Sequence, residues 1–275
     1  MSQMEGRQME GRMAKGRTNG REKEKKVWYQ SFVHPVQQAP YTKRLQAMLD
    51  AIASPGIRFE VKGLDPPLLD FDALSELRCS RQMIRNAIQA EKQGYDAFVL
   101  GHFQEPALVE LRSAVDISVV SLGESNMLAA LSLGHRFGLV TVDPVFLPWH
   151  DRQVRAMGLA DRCAGIDAIT MNVAGFMKAY ADKRAYTRVR ADFVKQVRPL
   201  VAAGAEVIIA AGGLAQMLFA QERSFLIDGA PVLNGIAVVA KAAEMALALK
   251  DISGVSISRR GTYAKAAAAS IAAFT

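Results

Sequence analysis

Asp96-Ala97-Phe98-Val99-Leu100-Gly101 is the stretch on which the fold turns. Between its acidic first residue and its terminal glycine every position is apolar. It lacks the in-out alternation of a half-exposed antiparallel strand, so a strand formed here has both faces covered. A helix is expected to follow from about Pro106. The same unit recurs along the chain. Upstream, the pattern predicts a strand over 27–33, stopped by His34-Pro35. A helix over 41–53 carries Leu45, Met48, Leu49 and Ile52 at helical spacing, and a strand over 59–64 and a long helix over 72–93 come next. Downstream come a strand over 117–122, a helix over 124–133 ended by Gly134, and a strand over 137–142. The second half keeps the rhythm: helix 151–157, strand 166–173, helix 186–203 capped by Gly204, strand 206–211, helix 213–220, a short strand 231–233 and helix 236–249. Apolar strands alternating with helices predict an α/β fold with parallel sheets, and the length suits two lobes.

Composition narrows the function classes. The chain has 275 residues, 50% of them hydrophobic, enough to bury a core. Its net charge of +7 is unevenly placed: residues 1–26 hold eight basic and four acidic side chains, whereas 27–250 hold 23 against 22. A near-neutral body argues against a duplex-binding face, so no nucleic-acid partner is expected. The segment 1–26 repeats Met-Glu-Gly-Arg, lacks apolar periodicity, and is expected to be a disordered basic tail. No apolar run reaches the roughly 18 residues of a membrane span, and the first residues lack the apolar core of a secretory signal. A soluble, cytoplasmic protein is therefore expected. Two cysteines and four scattered histidines make neither a disulfide framework nor a metal site.

Ligands of open parallel sheets bind beyond the carboxyl ends of the strands. The junctions to inspect are Gln30-Ser31-Phe32, 101–106, Gly123-Glu124-Ser125-Asn126, Thr141-Val142-Asp143 and Ala211-Gly212-Gly213-Leu214. Their free backbone N–H groups suit a small anionic group or a carbonyl. There is no G-x-G-x-x-G after the first strand and no Walker A pattern, which argues against a dinucleotide or a nucleoside triphosphate.

At these junctions the sequence resembles the aspartate/glutamate/hydantoin racemase superfamily, in its hydantoin (allantoin) racemase branch. The resemblance runs over roughly 27–250. It rests on Trp28-Tyr29-Gln30-Ser31-Phe32, on 97–103 ending Gly101-His102-Phe103, on Ser121-Leu122-Gly123-Glu124 and on Leu133-Gly134-His135-Arg136-Phe137. It extends through Gly158-Leu159-Ala160-Asp161-Arg162-Cys163, through 204–209 and through Pro231-Val232-Leu233-Asn234-Gly235. The resemblance implies two similar doubly wound parallel-sheet lobes with the active site in the cleft between them. The first lobe would take 27–125 with 225–250 and the second 126–224, leaving a C-terminal tail at 251–275. It also implies a small-molecule substrate, no cofactor and a homo-oligomer.

In that family two cysteines face each other across the cleft and exchange a proton next to a carbonyl. Here the first position falls on His102 and the second on Gly212, and neither Cys79 nor Cys163 replaces them. Two-thiol racemisation is thereby excluded, and one-base chemistry is expected: decarboxylation, elimination or isomerisation of a small carboxylate or hydantoin-like cyclic amide. His102 is the expected acid/base, since imidazole titrates near neutral pH, with Glu105 orienting it or assisting. Gln30, Ser31, Phe103, Glu124, Ser125, Thr141, Gly212 and Gly213 are the expected substrate contacts, with the two glycines offering backbone N–H groups to an oxyanion. Two alternatives stand beside this one: a non-catalytic small-molecule binder, and a ring-amide hydrolase in which His102 activates water.

Overall fold

The expected strands pair into two parallel sheets in the computed structural model, which describes residues 24–68 and 70–274. Strands β1 (Lys25–Gln30), β2 (Ile57–Lys62), β3 (Ala97–Leu100) and β4 (Ser118–Ser121) lie in the order β2-β1-β3-β4. Strands β5 (Phe137–Thr141), β6 (Cys163–Ala168) and β7 (Val207–Ala211) lie in the order β6-β5-β7. Val232 adds a parallel bridge to Ile208 on the free side of β7, so both sheets follow the same order. In each, the first strand is flanked by the second on one side and the third on the other. The winding reverses there, and crevices open at such switch points. Of the expected tail at 1–26, residues 1–23 lie outside the described residues; β1 starts at Lys25, two residues before the expected strand.

Both faces of the first sheet are covered. Trp28, Phe98 and Leu100 pack on one side with Cys79, Met83 and Ile84 of helix α2 (Ala73–Lys92). On the other, Val27, Tyr29 and Val99 share a core with Leu45 and Leu49 of helix α1 (Ala39–Ile52), and this core continues to Leu139 and Ile208 of the second sheet. The near-continuous apolar strands follow from this double burial. Helix α2 starts as the pattern predicts, because the Asp72 side chain accepts hydrogen bonds from the backbone N–H groups of Leu74 and Ser75, both at 2.9 Å. The short α3 (Leu108–Ala114) and α4 (Leu122–Leu133) complete the first half, with α4 touching β4, β5 and β7.

The second lobe carries α5 (Leu147–Ala156), α6 (Val173–Ala181), α7 (Lys183–Ala202) and α8 (Gly213–Phe219). Helix α6 is absent from the sequence reading, which runs a strand over 166–173. The strand ends at Ala168, and Asn172 caps the new helix by accepting from the Gly175 N–H at 2.8 Å. The expected short strand at 231–233 is a small antiparallel hairpin, β8 (Leu226–Ile227) with β9 (Ala230–Pro231), running into the Val232 bridge. After the Val232 bridge the chain runs through Asn234 into α9 (Gly235–Ser253), which packs on β3, β4, α1 and α4. Beyond it the C-terminal segment is docked on the first lobe. Arg259 and Lys265 pair with Asp116, and Ile257, Phe274 and Ile271, the last within α10 (Ala268–Ala272), pack against the α2 core. Among the described residues no helix is long and apolar enough to cross a membrane.

Candidate functional site

The strand ends at the two switch points face one pocket. Its wall contains Ser31 and Phe32 after β1, Gly101 and His102 after β3, Val142 after β5, and Gly212 to Leu214 after β7. Phe71 from the first lobe and Phe146 from the second meet beside it with ring centroids 5.1 Å apart. Gly101 is packed so tightly that an added Cβ would lie against the Tyr29 ring and 2.7 Å from the Gln30 carbonyl oxygen. Gly101→Ala is accordingly expected to destabilise the fold by about 1–3 kcal/mol or more in urea unfolding, since backbone and a buried ring have nowhere to move.

His102 is held by a group that sequence reasoning missed. Its Nε2 lies 2.9 and 3.1 Å from the two carboxylate oxygens of Glu76, which is 1% exposed near the start of α2. The imidazole stacks on Phe32 with centroids 4.1 Å apart. Beside an accepting carboxylate, the neutral imidazole carries its hydrogen on Nε2, and Nδ1, which makes no hydrogen bond among the described residues, then holds the lone pair. Glu76 and His102 lie far apart in sequence, and no local pattern joins them.

Glu105, expected to orient His102, is engaged elsewhere. Its carboxylate accepts from the Ser121 hydroxyl, from the Glu124 backbone N–H at 2.5 Å and from Gln153 Nε2 at 2.5 Å. Burial pushes its pKa up, and these hydrogen bonds pull against that rise. Glu105 and Ala107 both adopt left-handed backbone, φ 53° and 56°, and the side-chain bonds of Glu105 hold that costly loop in place. Gln30 lies behind the pocket, its amide spent on Trp28 and Asn86 as acceptor and on the Ser31, Lys62 and Gly63 carbonyls as donor. Phe103 packs edge-on to His150 in the core. Glu124 pairs with Arg112, and Ser125 is buried in α4. The Thr141 hydroxyl contacts the Ala211 carbonyl and His150, 3.1 and 3.0 Å away. None of these six lines the pocket, whereas His102, Ser31, Gly212 and Gly213 do. The backbone cradle expected at the two glycines is also smaller, because the Gly212 N–H donates to the Ala210 carbonyl at 2.9 Å.

His150 ties the lobes through a buried chain, Thr141–His150–Gln153–Glu105. Burial lowers its pKa from 6.5 to about 4. The unfolded chain therefore takes up a proton as pH falls below 6.5 that the folded chain refuses until about 4. Stability present at neutral pH is lost across that window, by about 3 kcal/mol at most. Urea unfolding at pH 7 and 4.5 should show this loss, and His150→Gln should flatten it.

The pocket also recruits side chains outside the expected set. Tyr41 of α1, Gln104, Leu68, Phe71, Phe146 and Val173 line it. Gln104 is 3% exposed, and its backbone carbonyl accepts from the Trp149 indole N–H at 2.8 Å. No lysine, arginine or cysteine is among the lining residues. Burial pushes the Cys79 thiol up to about 11 within α2. Among the described residues no cluster of His, Cys, Asp or Glu suits a metal ion.

The Asp/Glu/Hydantoin racemase family matches residues 38–243. A hydantoin racemase of Rhizobium meliloti is 28% identical over 183 residues, 66% of this chain and 71% of that protein. Among solved structures, an allantoin racemase from Klebsiella pneumoniae superposes with a TM-score of 0.70 at 21% identity, covering 88% of this chain and 94% of its own. One from Pseudomonas fluorescens gives 0.67 at 23%, covering 88% and 97%. These two likenesses establish the shared fold of paired parallel-sheet lobes.

Proposed function

Since the chain belongs to the Asp/Glu/hydantoin racemase family, we propose that it moves a proton at a carbon next to a carbonyl, on a small uncharged cyclic amide, with His102 as its single base. The observation that carries this reading is the imidazole on the wall between the lobes, anchored at Nε2 by buried Glu76 with Nδ1 open. The Nδ1 lone pair takes the proton, and the C–H electron pair moves into the bond to the carbonyl carbon as the oxygen becomes an enolate. Glu76 stabilises the imidazolium so formed. Return of the proton to the same face of the same carbon exchanges it with solvent, return to another atom of the delocalised anion gives an isomer, and departure of a leaving group completes an elimination. None of these outcomes needs a thiol.

The lining favours a hydantoin-like ring over an amino acid or a malonate. A carboxylate in this pocket would lose its hydration without gaining a lysine or arginine, and an unpaired buried charge costs several kcal/mol. The hydantoin racemase relative agrees with that substrate class. The cavity holds about 50 Å³, against roughly 300 Å³ or more for a usual ligand site, so a substituted ring enters as the Phe71–Phe146 pair parts.

Incubation in deuterated water with hydantoin, 5-benzylhydantoin, allantoin and malonates, followed by NMR, tests the reading. Deuterium entering C5 of the hydantoins, with malonates untouched, is the expected result. A product heavier by one water would point to ring hydrolysis instead. Binding without exchange would make the protein a non-catalytic relative, and neither binding nor exchange would sink the proposal.

A further inference from the structure

Proton removal by His102 leaves negative charge on a carbonyl oxygen, and that charge needs a donor. The expected one, the double glycine, is partly spent, since the Gly212 N–H is bonded to Ala210. The wall is furnished instead from the opposite lobe. Helix α1 reaches across the cleft, with Arg44 Nη2 donating to the Tyr180 carbonyl of α6 at 2.8 Å and the Tyr41 ring 6.0 Å from the Tyr180 ring. This brings the Tyr41 hydroxyl to Gly213: a Cβ placed on that glycine would stand 3.3 Å from it and 3.1 Å from the Gly101 carbonyl oxygen. Gly213 thus leaves free the space that the phenol occupies. Tyr41 lines the same pocket as His102 while only 2% exposed.

We propose that the Tyr41 hydroxyl is the catalytic hydrogen-bond donor to the substrate carbonyl oxygen, and to the enolate that forms there when His102 removes the adjacent proton. As the C–H pair becomes the C=C bond, the carbonyl π pair moves onto oxygen. The Tyr41 O–H shares its proton with that oxygen and recovers it when the carbon is reprotonated. Burial lifts the phenol's pKa well above its usual value, and the Ser31 hydroxyl beside it draws it down only in part. Tyr41 therefore stays a donor and does not serve as a second base. A donor aimed at developing charge in a site that excludes water is worth about 10²- to 10³-fold in rate.

This assignment rests on the proton-transfer reading above, and Tyr41→Phe separates the two. The exchange of 5-benzylhydantoin in deuterated water is measured with binding of the same compound by calorimetry. The expected result is a roughly 100-fold lower kcat with KM little changed and an unaltered melting temperature. The loss should be the same at about pH 6 and pH 9, because a phenol that keeps its proton adds no pH limb. Wild-type exchange that Tyr41→Phe leaves intact overturns the role of Tyr41 and spares the general reading. If the wild type binds the ring without exchanging it, the general reading fails and the catalytic role of Tyr41 fails with it. No binding by either protein overturns both.

Discussion

Replacing His102 by glutamine is expected to lower deuterium incorporation into hydantoin substrates by about 10²- to 10⁴-fold, the usual worth of a positioned general base. Glutamine is the informative replacement. Glu76 is buried and bonds His102 through both oxygens, so His102→Ala would strand a carboxylate away from water and confuse lost chemistry with lost stability. A glutamine amide still offers an N–H to Glu76 but has no basic nitrogen for the substrate. Incorporation measured by NMR, with the melting temperature as a check on folding, isolates the base. Undiminished exchange in a folded His102→Gln protein would remove His102 from the chemistry.

Glu76→Gln should be nearly as damaging although residue 76 never touches the pocket. A carboxylate demands a hydrogen on Nε2 and so keeps Nδ1 free. A neutral amide can donate to Nε2 equally well, which puts the hydrogen on Nδ1 and blocks it as a base. The imidazolium formed during proton removal also loses its counter-charge. In serine proteases the equivalent acid-to-amide change costs about 10⁴-fold through the wrong tautomer, which sets the scale here at about 10³- to 10⁴-fold in kcat. The loss should appear in kcat with substrate affinity largely kept, because residue 76 is not part of the pocket wall. A Glu76→Gln protein with normal turnover would mean that the buried acid serves stability only.

The strands were legible in the sequence because each is buried on both faces, and burial of that kind leaves an unbroken apolar run, as in Phe98-Val99-Leu100. Helix α6 was not legible. The apolar residues of β6 and those of α6 are joined through Ile169 and Met171, and the Asn172 cap is one isolated polar residue there, like Asp167 and Thr170 before it. For the site, reading the strand ends located Ser31, His102, Gly212 and Gly213, which follow their strands directly. It also drew in Thr141 and Glu105, whose side chains turn toward each other's lobe through His150 and Gln153 rather than into the cleft. Glu76 and Tyr41 arrive from the helices α2 and α1 by packing, and side chains delivered in that way leave no spacing to read.

The return of α9 to the first sheet has a consequence for biosynthesis. A chain leaving the ribosome delivers β1 to β4 early, yet the surface of β3 and β4 that α9 covers stays bare until residues past 235 emerge. The second lobe, drawn from one uninterrupted stretch up to the Val232 bridge, can close before the first is finished. Its completion precedes the capping of the half that bears His102, so that imidazole gains its final surroundings only near the end of translation.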